Sequence, residues 1–249
     1  MDMMTPIDRT SVDESGLAPR GALLLAALVT ASMMLAVHLA FFTIDTTAIV
    51  AFAVFAAGVA LLWWRIPTDY PHSRFGACNT VTLLRAGLGA TLLTPLFTAA
   101  PLTHSIEAWA VVLIALMALL LDGVDGLLAR RSGLSSAYGA RFDMEVDAAL
   151  SLILMLHVLF DGTVGSYVIV LGIMRYLFIG ASLLLPWLSA DLPERFGRKL
   201  VCVLQVAALI ALQVPVLPEP AAHLIAGGTT LALLWSFGRD TLWLRRHRS

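Results

Sequence analysis

The sequence predicts an all-α polytopic membrane protein with eight spanning helices, and three observations support this fold class. Hydrophobic residues make up 59% of the 249 residues and charged residues only 13%, against about 25% charged in soluble proteins. The mean hydropathy is +0.86. So few charges cannot cover the surface of a water-soluble globule, and a disordered chain would be rich in charge. The formal net charge of −1 gives no indication of nucleic acid as a partner.

Eight apolar segments are each close to the roughly 20 residues that a spanning helix needs. Turn residues separate several of them, including Asp45, Pro101, Gly162 and Pro218. The first segment is longer than the apolar region of a signal peptide, so we interpret it as a retained helix. The predicted spans in chain order are 21–42, 47–64, 79–99, 107–128, 141–160, 166–187, 199–216 and 220–238.

The positive charges predict the orientation of these spans. Of the 16 Lys and Arg residues, all except Arg85 and Arg175 fall in the termini or in alternate loops. Cytoplasmic loops are enriched in Lys and Arg. We therefore expect both termini, and the 129–140 loop with its neighbouring polar residues, at the cytoplasmic face.

The same pattern divides the chain into five parts. Residues 65–78 form the longest polar stretch between spans, and Pro67 and Pro71 predict that no long helix continues through it. We expect the basic tail to meet anionic headgroups of membrane lipids. The predicted parts are a cytoplasmic tail (1–20), an accessory two-helix unit (21–64), a juxtamembrane linker (65–78), a six-helix core (79–238) and a basic cytoplasmic tail (239–249).

Candidate chemistry concentrates in residues 122–147, which join the fourth and fifth spans. Asp122 and Asp125 are three residues apart and Asp143 and Asp147 four apart, so each pair shares one face of its helix. The short connection makes the two helices antiparallel neighbours, which can bring all four carboxylates together. Gly126 and Gly139 lie on the same two faces and leave room for a ligand.

Four clustered carboxylates repel one another and are costly to desolvate beside a bilayer. Hard divalent cations such as Mg²⁺ take oxygen ligands and often bridge carboxylates to substrate phosphates. The cluster therefore predicts a site for divalent cations.

The same residues resemble a known signature. The pattern Asp-(two)-Asp-Gly-(two)-Ala-Arg-(eight)-Gly-(three)-Asp-(three)-Asp is similar to that of the class I CDP-alcohol phosphotransferases. The Asn-x-x-Thr-x-x-Arg motif at the start of the third span is also similar to a motif of this family. The resemblance covers roughly residues 75–245. The matching residues are Asp122, Asp125, Gly126, Ala129, Arg130, Gly139, Asp143 and Asp147, with Asn79, Thr82 and Arg85 in the second motif.

The resemblance implies a six-helix catalytic core, transfer from CDP-diacylglycerol to an alcohol, two Mg²⁺ or Mn²⁺ ions and a homodimer. It implies that all four aspartates lie at the metals, with Asp147 as the general base. The residues implied at the cytidine diphosphate are Asn79, Thr82, Asp122, Gly126, Ala129, Arg130 and Gly139. No signature residue lies in the first two helices, which we expect to be dispensable for the chemistry.

Cationic residues predict a pocket for the acceptor. A charge within a span usually faces a partner or a wet cavity, which favours roles for Arg85 and Arg175, although Arg85 can also snorkel to the interface. The candidate acceptor-binding residues are Arg85, Arg141, Arg175, Arg198 and Lys199. Glu145 lies on the face opposite Asp143 and Asp147, where we expect it to pair with an arginine.

The predicted function is a membrane phosphatidyltransferase that moves the phosphatidyl group of CDP-diacylglycerol to a hydrophilic alcohol and releases CMP. The acceptor can be phosphorylated, as in glycerol 3-phosphate or an inositol phosphate. Two alternatives remain open: a choline- or ethanolamine-type phosphotransferase acting on a lipid acceptor, and a cation transporter that uses the four acids as an ion site. Placement of the acids near one membrane face disfavours the transporter.

Overall fold

A computed structural model describes residues 19–70, 72, 74–97, 106–132, 136–190 and 196–247. It leaves out the side chains of residues 67–69, 127, 129–132, 189, 196 and 199. Across these described residues the chain is helical and contains no strand. The eight long helices are α1 Pro19–Phe41, α2 Thr46–Asp69, α3 Ala77–Thr91, α4 Ile106–Ser132, α5 Ala137–Asp161, α6 Ile169–Leu184, α7 Phe196–Ala211 and α8 Glu219–Arg246.

Each helix lies at one of the eight predicted segments, which confirms the all-α class. Five of them, α1, α2, α4, the α6 region and α8, are long and apolar enough to cross a membrane by length and composition. The shorter α3 is extended by a helical turn at Leu93–Leu96. Many large apolar side chains point outward, such as Leu184 at 82% exposure and Leu224 at 78%. A surface of this kind suits lipid and not water, so the chain is an integral membrane protein.

The α1–α2 connection is closed by an N-cap on α2. The Asp45 carboxylate accepts hydrogen bonds from the backbone N–H groups of Thr47 (2.9 Å) and Ala48 (3.3 Å). The Thr47 hydroxyl donates to the same carboxylate, and this is the main reason why the pKa of Asp45 is lowered. The α2 helix then continues past Pro67 to Asp69, so Pro67 does not interrupt it as the sequence predicts, while its apolar part, Thr46–Ile66, lies at the predicted span 47–64. Pro67 provides no N–H for the carbonyl four residues earlier, and the helix is closed three residues later by Tyr70, whose N–H donates to the carbonyl of Ile66.

Two apolar cores organise the molecule. The larger core joins α3–α8, around Leu92, Leu154, Leu171 and Leu209. The smaller core joins α1 and α2 to α3 and to the start of α5, and it includes Leu23, Phe55, Leu83 and Tyr138. The accessory pair therefore packs directly on the helix that carries the Asn-x-x-Thr-x-x-Arg motif.

Close approach of α1 to α3 depends on a glycine. A Cβ at Gly87 would collide with the methyl group of Thr30 on α1. Beside it, the imidazole of the fully buried His38 lies 2.9 Å from the Thr94 hydroxyl and 2.7 Å from the carbonyl of Met34. Small residues allow helices to pack closely in membranes, and polar side chains add interhelical hydrogen bonds.

Candidate active site

Three helices bring the signature residues together. The α3 helix begins after Gly76, whose φ of 80° is a conformation that favours glycine. Asn79, Thr82 and Arg85 follow at intervals of three residues and share one face of α3. Opposite them stand the C-terminal half of α4 and the N-terminal half of α5. Ser136 caps α5, and its hydroxyl accepts a hydrogen bond from the N–H of Gly139 at 3.0 Å.

The four aspartates meet around the guanidinium of Arg85. Its Nη2 lies 2.8 Å from Asp122, and its Nη1 lies 2.8 Å from Asp125. Nη1 also pairs with Asp143, and Nη2 with Asp147. The Nε group donates to the carbonyl of Ala118 at 3.2 Å. A guanidinium has five N–H groups, so every one of them has a partner here.

Arg85 is 1% exposed, and the four carboxylates differ in how far they reach solvent. The side chain of Asp125 is 7% exposed, that of Asp122 27%, that of Asp143 34% and that of Asp147 42%. Asp125 is also held by the Thr82 hydroxyl, which donates to the same carboxylate oxygen as Arg85 at 3.1 Å. Asp125 is thus the most buried of the four carboxylates, and Asp147 is the most exposed.

These carboxylates fit a divalent cation. Asp122, Asp143 and Asp147 each offer one oxygen, and the three oxygens lie within 4.8 Å of one another. One guanidinium compensates only one of four negative charges, so the ionised cluster keeps a net charge of −3. Hard cations with oxygen ligands are the natural compensation. Within the described residues Asp125 is not part of this triad, and its carboxylate contacts Arg85 and Thr82.

The residues expected at the cytidine diphosphate lie in different environments, some on α3 and α5 and others at the end of α4. Asn79 is buried, and its amide donates to the carbonyl of Phe75 (2.5 Å) and to the Tyr70 hydroxyl (3.1 Å). A Cβ at Gly139 would lie 2.9 Å from the Asn79 amide oxygen. The space beside Gly139 is therefore occupied by Asn79, so this glycine permits close contact of α5 with α3. Gly126, Ala129 and Arg130 lie on the last turns of α4, and the side chains of the last two are outside the described residues.

The cationic residues do not gather at one place. Arg175 pairs with Glu145 at 2.5 Å, as the position of Glu145 on α5 predicts. Arg198 approaches Asp240 of α8 at 3.9 Å. Arg141 lies on α5 and lines a groove against α2. The side chain of Lys199 is outside the described residues. Arg85 lies among the four aspartates and contacts all of them. It is therefore not grouped with the other residues that were expected to form the acceptor pocket.

Sequence reasoning missed two tyrosines that connect the accessory helices to the site. Tyr70, just after α2, accepts from Asn79, and its own hydroxyl lies 2.8 Å from the carbonyl of Phe75. Tyr138 of α5 donates to the carbonyl of Leu62 on α2 at 3.2 Å, and the two tyrosine rings pack with centroids 5.3 Å apart. Neither tyrosine belongs to the signature, so only the packing of α2 reveals them.

Comparison with known proteins agrees with this geometry. A family model described as CDP-alcohol phosphatidyltransferase matches residues 75–237, which is more than half of the chain. The match starts at Phe75, just before α3, and ends within α8, so it includes all four aspartates and excludes α1 and α2. Searches of curated proteins and of solved structures gave no match. The chain therefore belongs to the CDP-alcohol phosphatidyltransferase family, whose reaction is the transfer of a phosphatidyl-type group from a CDP-alcohol.

Proposed function

We propose that this protein transfers the phosphatidyl group of CDP-diacylglycerol to a hydrophilic alcohol and releases CMP. The observation that carries this proposal is the convergence of the four signature carboxylates at the ends of α4 and α5, with three of their oxygens within 4.8 Å. A cluster of negative carboxylates can bind a negative diphosphate only when cations lie between the carboxylates and the phosphate groups. A lipid donor also suits a site built at the ends of membrane helices.

We propose that Asp122, Asp143 and Asp147 hold two divalent ions, Mg²⁺ or Mn²⁺, together with Asp125. When bound, such ions neutralise charge on the diphosphate and align it for in-line displacement. The Asp125 carboxylate is held in place by Thr82 and Arg85. Arg85 supplies a positive charge at the floor of the same site.

Asp147 is the proposed general base. Its carboxylate is the most exposed of the four, so an acceptor hydroxyl can reach it. The hydroxyl oxygen forms a bond to the phosphatidyl phosphorus, and its proton passes to Asp147. The bond from that phosphorus to the bridging oxygen breaks, and the bridging oxygen leaves with CMP. A base of this kind contributes about 10²–10⁴ in rate.

The proposal extends to location and assembly. The distribution of Lys and Arg supports cytoplasmic termini and a cytoplasmic active site. The family resemblance supports a homodimer, which light scattering of the purified protein in detergent measures directly.

The decisive experiment gives purified protein CDP-diacylglycerol, a divalent ion and one labelled acceptor at a time: glycerol 3-phosphate, an inositol phosphate, serine or inositol. We expect CMP release with one acceptor and a matching labelled phospholipid, both abolished by a chelator. Labelled CDP-choline with diacylglycerol forms the second arm. Product in that arm alone, or ion flux without CMP release in either arm, would overturn the proposal.

A further inference from the structure

A groove lies between α2 and α5, beside the core. One of its walls, α2, precedes residue 75 and is therefore outside the part of the chain that matches the family. The volume of the groove is about 650 Å³, within the range of roughly 300–1,000 Å³ for small-molecule sites. Small residues on all three surrounding helices create the space. They are Gly58 of α2, Ala86 and Gly89 of α3 and Ala149 of α5.

The groove is polar at one end and apolar along the rest. Arg65 of α2 and Arg141 and Glu145 of α5 stand at the polar end. Arg65 and Arg141 bring two positive charges to this end, and Glu145 is paired with Arg175 of α6. Val54 of α2 and Ile153 of α5 mark the apolar end.

The length of the groove matches one leaflet of a membrane. Arg65 and Val54 are 11 residues apart, and Arg141 and Ile153 are 12 apart. At about 1.5 Å per residue these intervals span roughly 16–18 Å of helix. Half of a bilayer hydrocarbon core is about 15 Å. A phosphate at the arginines would therefore sit at headgroup depth with a chain reaching towards the bilayer centre.

The groove is separate from the carboxylate cluster. Successive residues of a helix turn by about 100°, so Phe142, Val146 and Ala149 face a different side of α5 from Asp143 and Asp147. Among the described residues, the four aspartates are not part of the groove lining, and Arg85 alone both lines the groove and contacts the aspartates. A lipid phosphate at Arg65 and Arg141 would therefore lie apart from a diphosphate at the carboxylates.

We propose that the groove binds one anionic phospholipid other than the reacting lipid, with its phosphate at Arg65 and Arg141 and an acyl chain between α2 and α5. Charge complementarity with the two arginines selects the anionic headgroup. This binding does not depend on turnover, so it is tested separately from the proposed reaction.

The test titrates the delipidated full chain in detergent with phosphatidylglycerol, phosphatidylcholine or CDP-diacylglycerol and follows bound lipid by native mass spectrometry. We expect one phosphatidylglycerol per chain, bound about tenfold or more tightly than phosphatidylcholine, because each arginine near a headgroup adds to anionic selectivity. Replacing Arg65 and Arg141 together by Gln removes the preference. Equal retention of both lipids by the unaltered protein would overturn the proposal.

Matched variants check that the lipid occupies the groove. A Cβ at Gly58 meets no atom within 4 Å, so Gly58→Leu fills the groove without a backbone clash, and Ala149→Leu fills it from α5. Both are expected to lower phosphatidylglycerol binding at least tenfold and to leave ion-dependent binding of CDP-diacylglycerol intact. Gly180→Leu, on α6 with equally open space, is the control and should bind normally. Unchanged phosphatidylglycerol binding in both filled variants, or loss of CDP-diacylglycerol binding instead, would show that the assignment is wrong.

Discussion

At the scale of single residues, the site depends on one arginine facing four acids. Arg85 is almost completely buried and uses every N–H group for a carboxylate or a carbonyl. Removal of one partner of a buried ion pair leaves charge without compensation, and this costs more than the pair contributes. Arg85 therefore holds α3, α4 and α5 together as well as shaping the site.

Substitution of Arg85 by Met tests this role. We expect the free energy of unfolding to fall by about 3–5 kcal/mol in chelator, because four carboxylates lose their counter-ion. Mg²⁺ or Mn²⁺ should restore part of the loss, since a divalent ion replaces the missing positive charge. Denaturant unfolding in detergent, with and without ion, measures both effects.

Arg175→Met is the control, because Arg175 pairs with Glu145 and is apart from the four aspartates, so its loss should change stability less than that of Arg85. Equal stability of the Arg85 variant and the unaltered protein in chelator would contradict the role given to Arg85.

The acids are separated by function in a second set of variants. Asp122→Asn and Asp143→Asn each remove a formal charge from the ion site, so we expect weaker binding of the ion and hence of CDP-diacylglycerol. Asp147→Asn keeps a carbonyl oxygen and loses the ability to accept a proton. Its turnover should fall by about 10²–10⁴ while most of the CDP-diacylglycerol affinity remains. Ion-dependent binding and CMP release are measured for each variant.

Glu145→Gln serves as the control, since Glu145 faces Arg175 and not the cluster. Near-normal CMP release by Asp147→Asn would exclude Asp147 as the base. A loss in Glu145→Gln as deep as that in Asp143→Asn would place the active face of α5 elsewhere.

At the scale of helices, the accessory pair is part of the structure that supports the site. The α2 helix accepts a hydrogen bond from Tyr138 and forms one wall of the groove, and α1 packs on α3 at Gly87. Within the described residues, the carboxylates on α4 and α5 pair with Arg85 and Thr82 of α3. The helices α1 and α2 therefore have a structural role. That they are dispensable for the chemistry stays a prediction.

A truncated chain that starts at Tyr70 separates these two roles. We expect it to keep ion binding and measurable CMP release, because every signature residue is retained. Its thermal stability should fall, since Leu83 and Tyr138 lose their apolar partners, and its preference for phosphatidylglycerol should disappear with α2. A folded, membrane-inserted truncation without any turnover would place α1 and α2 within the catalytic unit.

The junction of α2 and α3 carries its own pH dependence. Partial burial raises the pKa of Tyr70 to about 12 from its usual 10. The folded state then keeps the phenol proton where the unfolded state has lost it, so stability is intact below pH 10 and falls as pH rises from 10 to about 12. Thermal unfolding between pH 8 and 12 should show a shallower decline for Tyr70→Phe, with Tyr167→Phe as the control. Identical slopes for Tyr70→Phe and the unaltered protein would remove Tyr70 as the cause.

At the scale of the whole molecule, orientation follows from charge. The segment between α5 and α6 carries no Lys or Arg, so we expect it on the side opposite the termini. Ser166 is exposed there, and His247 is exposed at the end of α8. In a chain whose own cysteines, Cys78 and Cys202, are replaced, Ser166→Cys should react with an impermeant thiol reagent in sealed cells. His247→Cys should react only after the inner membrane is opened, and the reverse order would invert the topology.

The sequence alone determined the fold class, the places of the helices and the family. These features follow from local patterns, which a single sequence is enough to show. They are the apolar segments of membrane length, the uneven distribution of the arginines, and the spacing of Asp122, Asp125, Asp143 and Asp147. The same spacing predicted that Glu145 faces away from the cluster, and its pair with Arg175 agrees.

Only the tertiary structure decided which groups meet across helices. The position of Arg85 among four carboxylates requires the packing of α3 against α4 and α5, and its spacing from Asn79 and Thr82 shows only that the three share a face. The contact of Gly139 with Asn79, the continuation of α2 past Pro67, and the groove between Arg65 and Arg141 depend in the same way on distant segments. Such contacts are set by how helix surfaces fit together in three dimensions, and the spacing of residues along one helix does not contain that information.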